Sequence, residues 1–212
     1  MPNHIQNIVT IKGNKEEVAK CAEKIFKDGV FSFKNIIPRP SELDIESSST
    51  QSDGITLING TEEEKERIIS KMKRWANKNK TLEDFIEEAK NLGHIALENQ
   101  KKYGFTDWYG WDIENWGTKW DAYKVDYNVT ENAINLNFQT AWATPYPIFE
   151  ALTKVFPSLT INVYFADEDL GCNCGEYGFE GGEAFKFDKG DLAFACEIWG
   201  YDYDEIMSER EE

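Results

Sequence analysis

Carboxylates and tryptophans are interleaved in one segment of the sequence, residues 107–121. Sites in which aromatic rings stack on sugars and paired acids hydrolyse them have this composition. The structural interpretation is that tryptophans favour cores and that these acids accept hydrogen bonds from the indole N–H. We favour the structural interpretation, because no catalytic motif surrounds the acids. A small-ligand or hydrolytic site is the alternative, and its residues would be Trp108, Trp111, Asp112, Trp116 and Asp121.

The cysteines and histidines lack the spacing of a metal or nucleophilic site. Cys172 and Cys174 form a C-x-C pair, which is tighter than the cysteine pair typical of zinc knuckles. The two histidines, His4 and His94, lie far away in the sequence, and no signature of a Cys–His nucleophile is present. We therefore predict no metal, no cofactor and no catalytic residues, and we expect the protein not to be an enzyme.

Negative charge is concentrated at the C-terminal end of the chain. The formal net charge is −16 at pH 7, and the residues from Ala166 onward include 15 acidic and 3 basic ones, which together carry −12. Such a surface repels phosphate backbones, so direct nucleic-acid binding is not expected. One interpretation is a solvated surface that serves solubility. The other is a surface that binds a basic protein, with the candidate residues Asp188, Asp191, Glu197, Asp202, Asp204 and Glu205.

Length and hydropathy limit the class of protein. A chain of 212 residues with 41% hydrophobic residues is long and apolar enough for one domain of ordinary size plus an insertion or tail. It contains no run of about 18 apolar residues, so we expect no membrane association. The N-terminus lacks the basic and apolar regions of a secretory signal, and the cysteines are few. These features predict a cytoplasmic protein.

Alternation of apolar and polar residues predicts four strands, at residues 5–11, 125–129, 134–142 and 159–165. The short polar link at residues 130–132 predicts a hairpin between the second and the third strand. Thr144 is expected to cap the helix that follows, with Pro145 at its first position. The apolar face of the third strand is predicted to consist of Ile134, Leu136, Phe138, Thr140 and Trp142.

Helical periodicity occurs in four further segments. A capping-box pattern at Asn14 precedes a helix near residues 15–26, and similar caps at Thr61 and Thr81 begin two helices of a hairpin. Residues 188–199 are expected to form a short last helix, and the acidic residues after it are expected to fray.

The Ser-rich residues 46–54 are predicted to be a loop, and residues 171–187 a hairpin or irregular strand that extends the sheet.

This order of elements predicts an α+β fold of the ferredoxin-like type, a βαββαβ antiparallel sheet. A large helical insertion and an acidic C-terminal extension are added to it. We predict a ferredoxin-like core from residues 1–40 and 117–187, a helical insertion at 41–116 packed on this core, and a short helix and acidic tail at 188–212. The pattern does not decide whether residues 31–35 join the sheet.

Several ordered segments resemble one known family. The segments MPNHIQNIVTIKG, FSFKNIIPRPSEL, NWGTKWDA and FQTAWATPYPIFEALTKVFPSLTINVYF are similar to those of the YubB-like ferredoxin-like proteins found in phages, plasmids and prophages. The resemblance covers most of the chain up to about Gly182. It implies a ferredoxin-like domain and a mobile-element origin, and it carries no catalytic residues. The acidic end is not part of this resemblance.

The charge and the resemblance together suggest an interaction protein of a phage or related element. Its expected partner is a basic host protein, in nucleic-acid metabolism or defence, which the acidic face would bind and inhibit in the host cytosol. A monomer and a homodimer both fit the sequence.

Overall fold

The computed structural model describes residues 2–211. The predicted domains begin at residue 1 and end at residue 212, and these two residues lie outside the described part of the chain. The chain divides into two compact units. The first unit comprises Met1–Pro38 and Asp112–Glu212, and the second comprises Arg39–Trp111.

The first unit contains the ferredoxin-like sheet. Its strands are β1 (His4–Lys12), β4 (Tyr123–Val129), β5 (Ala133–Ala141), β6 (Thr160–Asp167), β7 (Cys174–Glu180) and β8 (Glu183–Lys189). Within residues 2–211, these six strands form one antiparallel sheet in the order β4-β5-β1-β6-β7-β8. The first four in this order are the four predicted strands, so the predicted fold class is confirmed, and β7 and β8 extend the sheet beyond β6.

One face of the sheet is a continuous apolar layer because the register aligns the apolar positions of neighbouring strands. Val9 of β1 lies between Leu136 of β5 and Val163 of β6, and all three side chains are buried. Helix α6 (Tyr146–Val155) packs Phe149 against Phe138, with ring centroids 6.4 Å apart. Helix α1 (Lys15–Ile25) follows the predicted Asn14 cap and contacts β5.

The end of β5 differs from the prediction at two residues. The strand ends at Ala141, and Trp142 has a φ of +72° and is 40% exposed, so it does not continue the buried face. Thr144 does not cap α6, whose N-cap is Pro145 without a side-chain hydrogen bond. The Thr144 hydroxyl instead lies 2.8 Å from the buried Tyr177 hydroxyl, because the loop turns towards β7 before the helix begins.

The predicted extension of the sheet is a hairpin of β7 and β8, whose register shifts once, between Gly178 and Phe179. Gly181 and Gly182 connect the two strands with φ values of +62° and +88°. Two consecutive residues in the left-handed region are typical of the tight hairpin turn whose twist matches the strands, and glycine adopts this conformation without strain.

Residues 31–35 do not join the main sheet. A two-residue strand, β3 (Val30–Phe31), pairs with β2 (Phe26–Lys27) in a separate small ribbon, and a 3₁₀ turn follows at Phe33–Asn35. Among the described residues, no helix is both long and apolar enough to cross a membrane.

The second unit is helical. It contains α2 (Ser49–Asn59), α3 (Glu62–Lys73) and α4 (Leu82–Tyr103), and the chain leaves it through α5 (Trp108–Trp116). The capping boxes at Thr61 and Thr81 are present, as predicted. The predicted loop at residues 46–54 is wrong, because most of this segment belongs to α2, which the Ser48 side chain caps. The apolar cluster of this unit is formed by Leu57, Ile68, Met72 and Ala89.

Candidate protein-binding surface

Helix α7 (Leu192–Trp199) is held on the face of the sheet opposite to the apolar layer. The Asp191 carboxylate caps it by accepting a hydrogen bond of 2.9 Å from the Phe194 N–H. Its buried Ala195 packs against Ala166 and Cys174. Residues alternate between the two faces of a strand, so Ala166 faces away from the buried Phe165. The predicted last helix is therefore present and has a packed inner side, but it begins at Leu192 rather than at residue 188, because residues 188–189 still belong to β8.

Helix α8 (Tyr203–Glu211) follows directly and contacts α7, although this part of the chain was expected to fray. The Asp202 carboxylate accepts hydrogen bonds from the backbone N–H groups of Asp204 (2.9 Å) and Glu205 (3.1 Å). Near the other end, the Arg210 guanidinium donates to the Leu170 carbonyl at 2.8 Å. A capped first turn and this contact with the loop after β6 keep the segment helical.

The six predicted acidic residues are all exposed and lie along one stretch from the end of β8 to the first turn of α8. In the part of the chain that the structure describes, Asp188 is the one member that forms an ion pair, with Lys186 at 3.7 Å. The other five carboxylates form no ion pair among the described residues, and a stretch of chain that carries this many exposed negative charges favours binding of positive charge. We call this set the α7–α8 acidic surface, and its members are Asp188, Asp191, Glu197, Asp202, Asp204 and Glu205.

A groove of about 380 Å³ borders this surface, and the sequence analysis did not identify it. Its walls are Ile8 of β1, Tyr164 of β6, and Phe194 and Ile198 of α7, and Glu197 supplies a carboxylate. Apolar and aromatic walls with one carboxylate suit the aliphatic stem and the cationic head of a lysine or arginine side chain.

The sequence contains one indication of this groove. Ile8 is an apolar residue on the otherwise polar side of β1, where its neighbours on that side are Gln6 and Thr10. An apolar residue on a polar strand face indicates a further packing element or a ligand. The sequence could not show that α7 approaches this position, because more than a hundred residues separate them.

Cys174 packs against α7, and Cys196 belongs to this helix. Cys174 and Cys196 are buried, whereas Cys172 is exposed. Burial, with a smaller contribution from the Asp191 carboxylate, raises the pKa of the Cys174 thiol, which disfavours the thiolate form that binds metals. Among residues 2–211, no three His, Cys, Asp or Glu side chains lie close enough together to hold a metal ion.

The residues of the alternative small-ligand or hydrolytic site lie partly in the second unit and partly in the first. In the second unit, Trp108 is partly buried and its ring lies edge-on to Tyr109 at 5.7 Å, and Trp111 is 8% exposed. Both belong to α5, whose start is organised by the Asp107 carboxylate, which accepts a hydrogen bond of 2.9 Å from the Tyr109 N–H.

In the first unit, Asp112 and Trp116 are buried, at 1% exposure each. The Trp116 indole N–H donates to the Ile37 carbonyl at 3.0 Å. Asp121 accepts hydrogen bonds from the Ser32 hydroxyl (2.5 Å) and the Phe33 N–H (2.8 Å). These contacts give Trp116 and Asp121 structural roles, and the small-ligand or hydrolytic site stays a prediction.

Comparison with known proteins supports the fold. Residues 115–208, less than half of the chain, match a family model described as a ferredoxin-like domain in Api92-like protein. The matched region includes α7 and most of α8, so both helices fall within the recognised domain. The chain is also similar to a crystal structure of a protein api92 from Yersinia pseudotuberculosis, with 11% sequence identity and a TM-score of 0.43. This likeness covers 90% of this chain and 98% of that chain. No curated protein matches the sequence.

Proposed function

We propose that this ferredoxin-like chain is a non-enzymatic interaction protein that binds a basic protein through the α7–α8 acidic surface and inhibits it. The observation that carries this proposal is the exposure of all six acidic residues on or next to two packed, capped helices, with one ion pair among them in the described part of the chain. A solvated tail that serves only solubility needs neither caps nor a packed inner side.

The groove is a site in which a side chain of the partner can be anchored. A lysine or arginine of the partner would place its aliphatic stem between Tyr164 and Ile198 and its charged group against Glu197. Buried anchors at the centre of an interface contribute more affinity than charges at its rim, which chiefly raise the association rate. The groove thus determines how tightly the partner is held, and the surrounding carboxylates accelerate the encounter.

The resemblance of several segments to YubB-like proteins of phages and plasmids supports a mobile-element setting. In this setting the basic partner is a host protein that handles nucleic acid or acts in defence. The acidic surface would occupy the site that normally holds phosphates, because both present negative charge to the same basic residues. Inhibition then follows from competition for one site.

The test is affinity capture from a lysate of the natural host, with identification of the bound proteins and a competition assay. The wild type is compared with a variant that carries Asp202→Asn, Asp204→Asn and Glu205→Gln, in which the asparagine at 202 retains the capping oxygen. A matched control removes the same charge from exposed positions of the second unit, through Glu63→Gln, Glu66→Gln and Glu87→Gln.

We expect the control to capture the same basic protein as the wild type and the α7–α8 variant to lose most of it. Glu197→Gln should also weaken capture, chiefly through faster dissociation. The captured protein should lose nucleic-acid binding when the wild-type chain is added. Equal capture by all variants, or a captured protein that binds nucleic acid and the chain together, would contradict the proposal.

A further inference from the structure

The outer edge of β8 carries exposed aromatic residues. β8 is the last strand in the order of the sheet, and every one of its residues except Lys186 is exposed. Phe187 is 73% exposed and Phe185 is 50% exposed. An edge strand leaves a row of backbone N–H and C=O groups free to pair with another strand, and natural proteins usually cover or disrupt such an edge.

The hydrogen bonds of the β7–β8 hairpin show which backbone groups are free. The Gly190 N–H donates to the Cys174 carbonyl at 2.9 Å, and Lys189 lies opposite Gly175. Bonded and non-bonded pairs alternate along an antiparallel ladder, so Asp188 and Lys186 bond to β7. The N–H and C=O groups of Phe187 and Lys189 therefore point away from the sheet.

We propose that two copies of this chain pair through β8, antiparallel to each other, with the two-fold axis at Phe187. This inference goes beyond the proposed function and does not depend on it. On the axis, Phe187 faces Phe187 of the second copy, and each donates its outward N–H to the carbonyl of the other. A pair of aromatic side chains directly opposite each other stabilises an antiparallel ladder.

Charge complementarity identifies a second copy as the partner. Within one chain, Lys186 forms ion pairs with Glu176 of β7 and with Asp188. The sequence around the axis is Lys186-Phe187-Asp188, so two-fold pairing also sets Lys186 opposite Asp188 of the second copy, twice. Both side chains lie on the face opposite to Phe187, because residues alternate between the two faces of a strand. The pattern is therefore self-complementary on both faces of the joined sheet.

The other edge of the sheet is less suited to pairing. The register of β4 against β5 shifts between Tyr123 and Asp126, and Lys124 has a φ of +50°. The β2–β3 ribbon lies against this strand, where the Tyr127 hydroxyl donates to the Gly29 carbonyl at 3.2 Å and the Tyr127 ring lies 4.3 Å from that of Phe26. Such irregularities and coverings protect an edge strand. The register of β8 also shifts, opposite Gly178 and Phe179, but this shift lies outside the residues around the proposed axis, 186–188.

The first test is the mass of the full chain in solution, measured by light scattering across a dilution series. We expect twice the chain mass for the wild type and the single-chain mass for Phe187→Pro. Proline removes the outward N–H at 187 and leaves the β7 bonds intact.

The matched control is Val129→Pro on β4. The Thr130 N–H donates to the Ala133 carbonyl at 2.8 Å, so the Val129 amide also points outward by the same alternation. This control should keep the doubled mass. A wild type that has the single-chain mass throughout, or a Phe187→Pro variant that keeps the doubled mass, would overturn the proposal.

The second test does not rely on proline. Lys186→Asp alone and Asp188→Lys alone each place like charges opposite one another at two positions, and both should lower the dimer fraction. The combined exchange should restore it. In a Cys172→Ser background, Phe187→Cys should form a disulfide between two chains, because residues in a bonded pair lie about 5.5 Å apart. The proposal would also be overturned if the single charge variants dimerised like the wild type and Phe187→Cys formed no disulfide between chains.

Discussion

Asp121 connects two segments of the first unit that are far apart in the sequence. One oxygen accepts a hydrogen bond from the Phe33 N–H (2.8 Å) and also lies 2.8 Å from the Ala122 N–H, and the other accepts from the Ser32 hydroxyl (2.5 Å). These bonds hold the 3₁₀ turn that brings Phe33 into the core, where the ring packs edge-on against Trp116 at 5.9 Å. The Asp121 carboxylate is therefore already engaged by hydrogen-bond donors of the protein itself.

Replacing Asp121 by alanine distinguishes the structural role from the hydrolytic alternative. The variant leaves the Phe33 N–H without its acceptor, so the free energy of unfolding should fall by about 1–3 kcal/mol. Denaturant unfolding of the variant and of Asp126→Ala, an exposed acid on β4, measures the difference, and the control should change by less than about 0.5 kcal/mol. If Asp121→Ala is as stable as the control, the structural role is wrong and the ligand-site hypothesis gains support.

Sequence reasoning found these residues but not their partners. Composition alone suggested that the acids accept from the tryptophan indoles, yet the Trp116 N–H donates to the Ile37 carbonyl and Asp121 accepts from Ser32 and Phe33. The donors come from a turn near the N-terminus, and nothing in the local pattern connects that turn with residue 121. Side-chain partners across such separations depend on the fold rather than on spacing.

Helices α2 and α4 cross at very close range in the second unit. A Cβ atom added at Gly54 would lie 1.8 Å from the Ala89 carbonyl oxygen, and one added at Gly93 would lie 2.5 Å from the Gly54 carbonyl carbon. Each clash is with backbone, which cannot move away as a flexible side chain would. The two glycines therefore allow an approach that no other residue would permit.

Gly93→Ala should destabilise the protein, although helix propensity alone predicts the opposite. Alanine in a helix interior is favoured over glycine by about 1 kcal/mol, whereas overpacking against backbone typically costs about 1–3 kcal/mol. Thermal unfolding should show a net loss for Gly93→Ala. The control Asn91→Ala, at an exposed position of the same helix, should show little change. A gain in stability for Gly93→Ala would mean that the crossing relaxes at little cost.

Periodic elements were predictable and packing-dependent ones were not. The four core strands, α1 and the capped helices α3 and α4 follow from alternation and from caps that act within a few residues. Helix α2 was missed because Ser49–Asn59 contains serine, threonine and a glycine, which locally favour a loop. Its packing on α4 outweighs that preference. The groove was missed for the same reason, since it needs β1, β6 and α7 together.

The charge of the whole molecule is unevenly distributed, and this affects stability and binding in opposite ways. The segment from Ala166 onward carries −12 of the net −16. The carboxylates concentrated in this segment repel one another in the folded state, which lowers stability, while the same field attracts a basic partner. Salt screens both effects, because the Debye length falls from about 10 Å at 0.1 M to about 3 Å at 1 M.

Raising sodium chloride from about 0.1 M to about 1 M should therefore increase the melting temperature and decrease partner binding in the same preparation. For a chain of this size, relief of about 1 kcal/mol of repulsion raises the melting temperature by about 2–4 °C. The melting temperature of the variant with Asp202→Asn, Asp204→Asn and Glu205→Gln should respond less to added salt, because part of the repulsion is gone. Differential scanning fluorimetry and capture at matched salt concentrations measure the two responses. If binding and the melting temperature both fall at high salt, binding is lost through unfolding rather than through screening. That result would contradict an electrostatic role of the acidic surface.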